Sequence, residues 1–221
     1  DETWFTALNS IVPAGETIGT YDISLNSDGN DATANLLQDV VPVGWRYPGS
    51  IPASSRIYLL NFDNSRFNSN SVYSGSSFHL SNQAAITKQG YALKLMIQKV
   101  LEVENVEKVI LVGHSMGGLA IREYLQRDNG TNWIEPSVAD GHKVAHVVTI
   151  GTPHRGSNSN AFGFEGFKGI DVHSEAVRDL RYNSSFITGP FTGYYLFGGN
   201  EANLFQPLDD QTLYNKDINC N

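Results

Sequence analysis

Residues 107–125, EKVILVGHSMGGLAIREYL, constrain the fold more than any other stretch of this chain. The apolar, largely β-branched run KVILVG (108–113) predicts a buried strand. Apolar residues at helical spacing follow over 116–127 and predict a helix. Ser115 therefore lies at a junction where a strand ends and a helix begins.

The junction carries the pattern G-x-S-x-G, formed by Gly113, Ser115 and Gly117 with one residue between each pair. This pattern is typical of a nucleophile elbow, a tight strand-to-helix turn that raises a serine above the sheet. We expect side chains at either flanking glycine to clash in so tight a turn. The alternative is a glycine-rich turn with an incidental serine, and the strand before and helix after favour the elbow.

An elbow would place the Ser115 hydroxyl near the N-terminus of the following helix. Backbone N–H groups and the helix dipole can stabilise negative charge that develops there on a substrate oxygen. The N–H of Met116 is the predicted oxyanion-hole donor. Gly118 is a third small residue, which we expect to let this helix approach the neighbouring strands.

The remaining pattern alternates strands with helices. A helix is predicted over 81–103, with Ser81 as its N-cap. Strands are predicted at ETIGTYDISL (16–25), RIYLLNF (56–62), KVAHVVTIG (143–151) and GYYLFGG (193–199). Such alternation favours parallel pairing, so the expected fold is α/β, with a mostly parallel central sheet and helices on both faces.

Composition limits the partners. With 221 residues, 40% of them hydrophobic, the chain is expected to form a single domain over 1–221. A net charge of −8 argues against nucleic acid or an anionic membrane as a partner. Cys220 is the one cysteine, so neither an internal disulfide nor a cysteine-rich metal site can form. No apolar run reaches the roughly 18 residues of a membrane span. Abundant Asn, Ser, Gly and Tyr favour a secreted or extracytoplasmic protein, and we expect a monomer.

Two motifs together support a family resemblance. GHSMGG at 113–118, followed by VVTIGTPHRGS at 147–157, resembles the α/β-hydrolase lipases and esterases, and the similarity covers residues 56–200. The resemblance implies an α/β-hydrolase fold, no cofactor, and a small-molecule or lipid ester as substrate. It implies that Ser115 attacks the ester carbonyl, that a histidine accepts the serine proton, and that a carboxylate orients the histidine.

The rest of this triad does not map cleanly. In the family the histidine lies near the C-terminus, whereas no histidine here follows residue 173. His154 and His173 are weak candidates for the base. In a T-P-H-x-G-S segment, the histidine resembles a pocket-shaping residue more than the base. Glu201 and Asp210 are the candidate acids, with ordinary solvated loop carboxylates as the alternative. The six histidines are His79, His114, His142, His146, His154 and His173.

Compared with the family, the sequence lacks expected elements near both of its ends. Family members carry a His-Gly loop near their start, which supplies a second oxyanion donor, and this sequence has no His-Gly dipeptide. We expect the chain to be an internal portion or processed form that lacks one strand before Asp1 and another after Asn221. The missing histidine would then be encoded downstream, and residues 1–221 alone would hydrolyse esters feebly or not at all. An atypical, self-contained fold is the alternative.

Two further segments have competing interpretations. Residues 156–192 are rich in phenylalanine and could form a lid or acyl-chain wall over Ser115, or pack into an ordinary core. The tail DINCN (217–221) places Asp and Asn at alternating positions, as at the start of a calcium loop. Without the glycine and glutamate of such a loop, a turn is the better interpretation, and no metal site is predicted.

Two classes of function remain. The first is a serine esterase or lipase that acts through Ser115, with thioesterase or amidase chemistry as a variant of the same mechanism. The second is a catalytically inactive or binding-only protein on the same fold, which the absent histidine favours. The fold alone does not distinguish these two classes, because the same fold occurs in enzymes and in binding proteins.

Overall fold

Ten short elements follow one another in the computed structural model, which describes residues 6, 8, 10, 12–14, 16–27, 36–46, 56–64, 66–67, 81–126, 143–154 and 175–180. The strands are β1 (Ile18–Leu25), β2 (Val40–Trp45), β3 (Ile57–Asp63), β4 (Val109–His114) and β5 (Val144–Ile150). The helices are α1 (Leu36–Asp39), α2 (Ile86–Glu104), α3 (Met116–Gln126) and α4 (Glu175–Leu180), with a 3₁₀ turn at Ser81–Gln83. Over these ranges, no helix is long and apolar enough to cross a membrane.

The strands pair in two sheets. In the first, β1 lies in the centre, antiparallel to β2 and parallel to β3. In the second, β4 runs parallel to β5, with Leu111 opposite Val147 and His114 opposite Ile150. The predicted strands at 16–25, 56–62, 108–113 and 143–151 are thus confirmed, as is an α/β architecture with parallel pairing.

The single central sheet that the sequence predicted is not formed by the residues described. Of those residues, β4 pairs with β5 alone, and a cavity of about 890 Å³ separates β4 from β3. Helix α2 packs against both sheets. Its Ala92, Met96 and Val100 contact the apolar side chains of the first sheet, and its Ile97 joins Leu111 of β4 in a second cluster.

One face of the second sheet is also more open than predicted. Leu111 is buried against the helices, but Ile110 and Val112 on the opposite face are 61% and 65% exposed. Val148 and Ile150 of β5 lie on that same face and are exposed as well. Within the described ranges no helix covers this face, so the expectation of helices on both faces is met on one face of this sheet.

The predicted N-cap at Ser81 is wrong. Helix α2 begins at Ile86, after Ala85, and Ser81 instead begins the 3₁₀ turn. The Ser81 hydroxyl is used elsewhere, since it accepts a hydrogen bond from the Leu25 N–H at 3.0 Å and donates to the Asp63 carbonyl at 2.5 Å. A side chain that ties the ends of β1 and β3 together cannot also cap a helix.

Candidate active site

Ser115 occupies the turn between β4 and α3 with a left-handed backbone, at φ 52°. Its N–H donates to the Ile150 carbonyl at 2.8 Å, which continues the β4–β5 pairing, and its carbonyl accepts from the Gly118 N–H at 3.1 Å. Left-handed angles are unfavourable for a residue with a Cβ and cost about 1–3 kcal/mol. The predicted unusual backbone at this serine is therefore confirmed, and the residue is exposed to solvent.

The glycines around Ser115 have different structural roles. A Cβ on Gly113 would lie 2.7 Å from the Gly118 Cα, so the predicted clash at Gly113 is confirmed. A Cβ on Gly118 would lie 2.0 Å from the Thr152 Oγ1, so Gly118 permits the predicted close approach of α3 to the end of β5. A Cβ on Gly117 would meet no described atom within 4 Å. The clash predicted at Gly117 is thus wrong for the described residues, because the space around that position is open.

The first turn of α3 supplies the candidate oxyanion donors. The first four N–H groups of a helix have no acceptor within the helix, and those of Met116 and Gly117 belong to this group. The Met116 side chain packs against a buried apolar cluster that includes Ile86 and Leu119. Met116 therefore has its side chain anchored while its N–H belongs to the turn that carries Ser115.

The 890 Å³ cavity extends to the turn between β4 and α3. Its lining includes Gly113, His114 and Gly117 at the elbow, and otherwise mainly apolar side chains of β3, α2 and β4 such as Phe62 and Ile97. Ser115 itself is not part of the lining.

The family comparison covers this region. Residues 81–180 match the family described as LCAT, lecithin:cholesterol acyltransferase. That range contains the elbow, the T-P-H segment and α4. Among solved structures, one titled "putative cell surface hydrolase", from Lactobacillus plantarum WCFS1, is 17% identical with a TM-score of 0.39. The match covers 69% of this chain and 47% of that one, so the chain spans about half the length of that protein. The family match supports a hydrolase of the lipase or esterase type in general terms.

His154 follows β5 by four residues, and its N–H donates to the Thr152 carbonyl at 2.9 Å. Its Nε2 is 3.1 Å from the Thr149 Oγ1, its carbonyl accepts from Arg122 at 2.7 Å, and its buried Nδ1 has no partner among the described residues. None of these contacts joins the His154 ring to the Ser115 hydroxyl. His154 does not line the cavity described above, so its pocket-shaping role remains a prediction.

The surroundings of His154 change how readily its ring takes up a proton. Burial, with a smaller contribution from the Arg122 charge, lowers the pKa of His154 below its usual 6.5. The folded state thus disfavours protonation, so stability is lost as the pH falls below 6.5 and the unfolded chain takes up the proton first. We expect an NMR titration midpoint below 6.5 for His154, assigned with His154→Gln, and an upward shift in Arg122→Gln. A midpoint at or above 6.5 would contradict this.

The other predicted site residues lie outside the described ranges. These are Glu201, Asp210 and His173. The predicted 156–192 segment, 193–199 strand and 217–221 tail also lie outside the described ranges, as do His79 and His142. The acid, the lid and the calcium alternative therefore remain predictions, as do the extracytoplasmic location and the monomeric state.

The histidines of β4 and β5, His114 and His146, are both exposed. In the ranges that the structure describes, no group of three or more His, Cys, Asp or Glu side chains is arranged to hold a metal.

Sequence reasoning missed a buried charged cluster at the start of α2, formed by Lys88, Asp39, Glu175 and Asp179. No sequence pattern predicts this cluster. Lys88 lies in a polar stretch of the kind that is usually exposed to solvent, and its partner Glu175 is 87 positions away.

Proposed function

We propose that this chain is a serine hydrolase that cleaves carboxylic esters through a covalent acyl-enzyme on Ser115. The observation that carries the proposal is the left-handed backbone of Ser115 at a turn between a strand and a helix. Strained angles at a non-glycine residue persist only where the surrounding structure imposes them, and such residues cluster at active sites. Here Gly113 and Gly118 allow the close packing that imposes them.

The proposed reaction has two steps. The Ser115 Oγ attacks the ester carbonyl carbon while its proton passes to a base, and the carbonyl oxygen becomes an oxyanion next to the Met116 N–H. The intermediate then collapses, the C–O bond to the alcohol breaks, and the base returns the proton to the departing alcohol. Water, deprotonated by the same base, hydrolyses the acyl-enzyme and frees Ser115. We place the base on a histidine outside the described residues.

A lipid ester is the proposed substrate class. The match of residues 81–180 to a family described as an acyltransferase acting on lecithin and cholesterol supports an acyl ester of a lipid. The apolar lining of the cavity beneath the elbow agrees with it. The same match favours a second candidate, transfer of the acyl group to an alcohol in place of water. Added alcohol acceptors would then yield new esters at the expense of free fatty acid.

The proposed nucleophile can be tested by covalent labelling. We expect a fluorophosphonate probe to label the product of the complete gene stoichiometrically, with the mass increase mapped to the peptide that contains Ser115. The reason is that the probe needs an activated serine hydroxyl. Heat-denatured protein is the control, since unfolding removes the activation but leaves every serine present. Native protein that stays unlabelled would contradict the proposal and favour a binding-only protein, whereas labelling at another serine would exclude Ser115 as the nucleophile.

A further inference from the structure

Lys88 of α2 is a fully buried cation that the proposed mechanism does not use. Its Nζ lies 2.9 and 3.0 Å from the two carboxylate oxygens of Glu175, 2.8 Å from the Asn26 carbonyl and 3.4 Å from Asp39. The Lys88 and Glu175 side chains are 1% and 0% exposed. Burying two charges is tolerated only where they are paired and hydrogen-bonded, so this contact fixes where α4 lies.

Helix α4 also supplies the hydrogen-bond acceptors that cap the start of α2. Ala85 precedes α2 and has no polar side chain, so the first amides of α2 need acceptors from elsewhere. The Ala85 N–H donates to Glu175 at 2.9 Å, and the Ile86 N–H donates to Asp179 at 2.8 Å. Both carboxylates also face the positive end of the α2 dipole. Helix α4 is therefore anchored to the start of α2 through two side chains one turn apart.

The neighbouring face of α4 shares a buried apolar cluster with the first turn of α3. Ala176 and Leu180 pack with Ile86 and Leu119 in one buried cluster, and Met116 packs against that cluster. Met116 directly follows Ser115 and is the candidate oxyanion donor. The position of α4 thus connects the buried charges on one side to the turn of the elbow on the other.

We propose that Glu175 and Asp179 are positioning residues of the elbow, which dock α4 through Lys88 and the start of α2 so that Ala176 and Leu180 hold Met116 in place. Neither carboxylate contacts the reacting atoms. Their effect on reactivity rests on the proposed function of Ser115, whereas their effect on Met116 does not. Displacement of a catalytic turn by about 1 Å can lower a rate roughly 100-fold.

The Met116 methyl group provides a direct readout. The 221 residues contain two methionines, Met96 and Met116, so ¹³C-methyl labelling gives each a signal, assigned with Met116→Leu. We expect Asp179→Ala and Glu175→Gln to shift or broaden the Met116 signal and leave Met96 unchanged. Asp179→Asn, which keeps an acceptor for the Ile86 N–H, should restore the Met116 signal.

Fluorophosphonate labelling of the same variants tests the consequence for Ser115. We expect the labelling rate per folded molecule to fall about 10- to 100-fold in Asp179→Ala and to recover in Asp179→Asn. Lys99→Gln is the matched control, because it removes an exposed ion pair with Glu102 from the same helix without adding a methionine, and it should change neither readout. Glu175→Gln, which nearly conserves volume, replaces Asp179→Ala if that variant does not fold.

The outcomes separate the two proposals. An unmoved Met116 signal in folded variants overturns the docking role. A displaced signal with an unchanged labelling rate overturns the proposed effect of docking on the reactivity of Ser115. A fall in melting temperature alone would indicate a purely structural cluster and would also overturn it. If the unmodified protein is not labelled at all, the proposed function fails, while the Met116 signal still decides whether α4 holds the elbow.

Discussion

In the product of the complete gene, Ser115→Ala should abolish the hydrolysis of short p-nitrophenyl esters, with kcat/KM at least about 1,000-fold lower than with Ser115 in place. Alanine removes the hydroxyl that forms the acyl-enzyme and leaves at most the contribution of binding and of the Met116 N–H. Because alanine also carries a Cβ, the backbone strain at this position is unchanged. The fold should therefore be retained, which far-UV and near-UV circular dichroism would check.

Ser115→Gly is the companion variant, and it should be equally inactive yet more stable. Glycine adopts φ 52° without the steric penalty of a Cβ. We expect a gain of about 1 kcal/mol in the free energy of unfolding, measured by urea denaturation. Turnover retained in either variant would exclude Ser115 as the nucleophile. A Ser115→Gly variant of unchanged or lower stability would show that the turn is not strained at this residue.

Gly113→Ala should disrupt the elbow far more than the same substitution four residues later. The new Cβ would lie 2.7 Å from the Cα and N of Gly118, which are backbone atoms and cannot rotate away. The start of α3 must then move off β4, which carries the turn with it. We expect a loss of about 1–3 kcal/mol in unfolding free energy, measured by urea denaturation, and at least tenfold slower ester hydrolysis.

Gly117→Ala is the matched control for this comparison. Its Cβ would meet no described atom within 4 Å, and alanine favours a helix over glycine by up to about 1 kcal/mol. Stability should therefore be unchanged or slightly higher. If the two substitutions lowered stability equally, the close contact between the end of β4 and the start of α3 could not be the reason for glycine at position 113.

The local elements were predictable because each depends on a short pattern. The strand before Ser115 and the helix after it follow from the hydrophobic periods of residues 108–113 and 116–127, and the structure places them at Val109–His114 and Met116–Gln126. The unusual backbone of Ser115 was predictable for the same reason, since the turn chemistry is local. The start of α2 was not predictable, because its caps come from Glu175 and Asp179, about 90 positions along the chain.

The sequence by itself determined the α/β alternation, the parallel pairing and the elbow that carries Ser115, because hydrophobic period and glycine placement act over a few residues. Only the tertiary structure decided that the described strands form two sheets, that position 117 is open, and that Lys88 is buried. Each of these depends on which distant surfaces meet. A lysine in a polar stretch has the same local pattern whether water or a carboxylate from another helix surrounds it, so the partner is known only once the chain has folded.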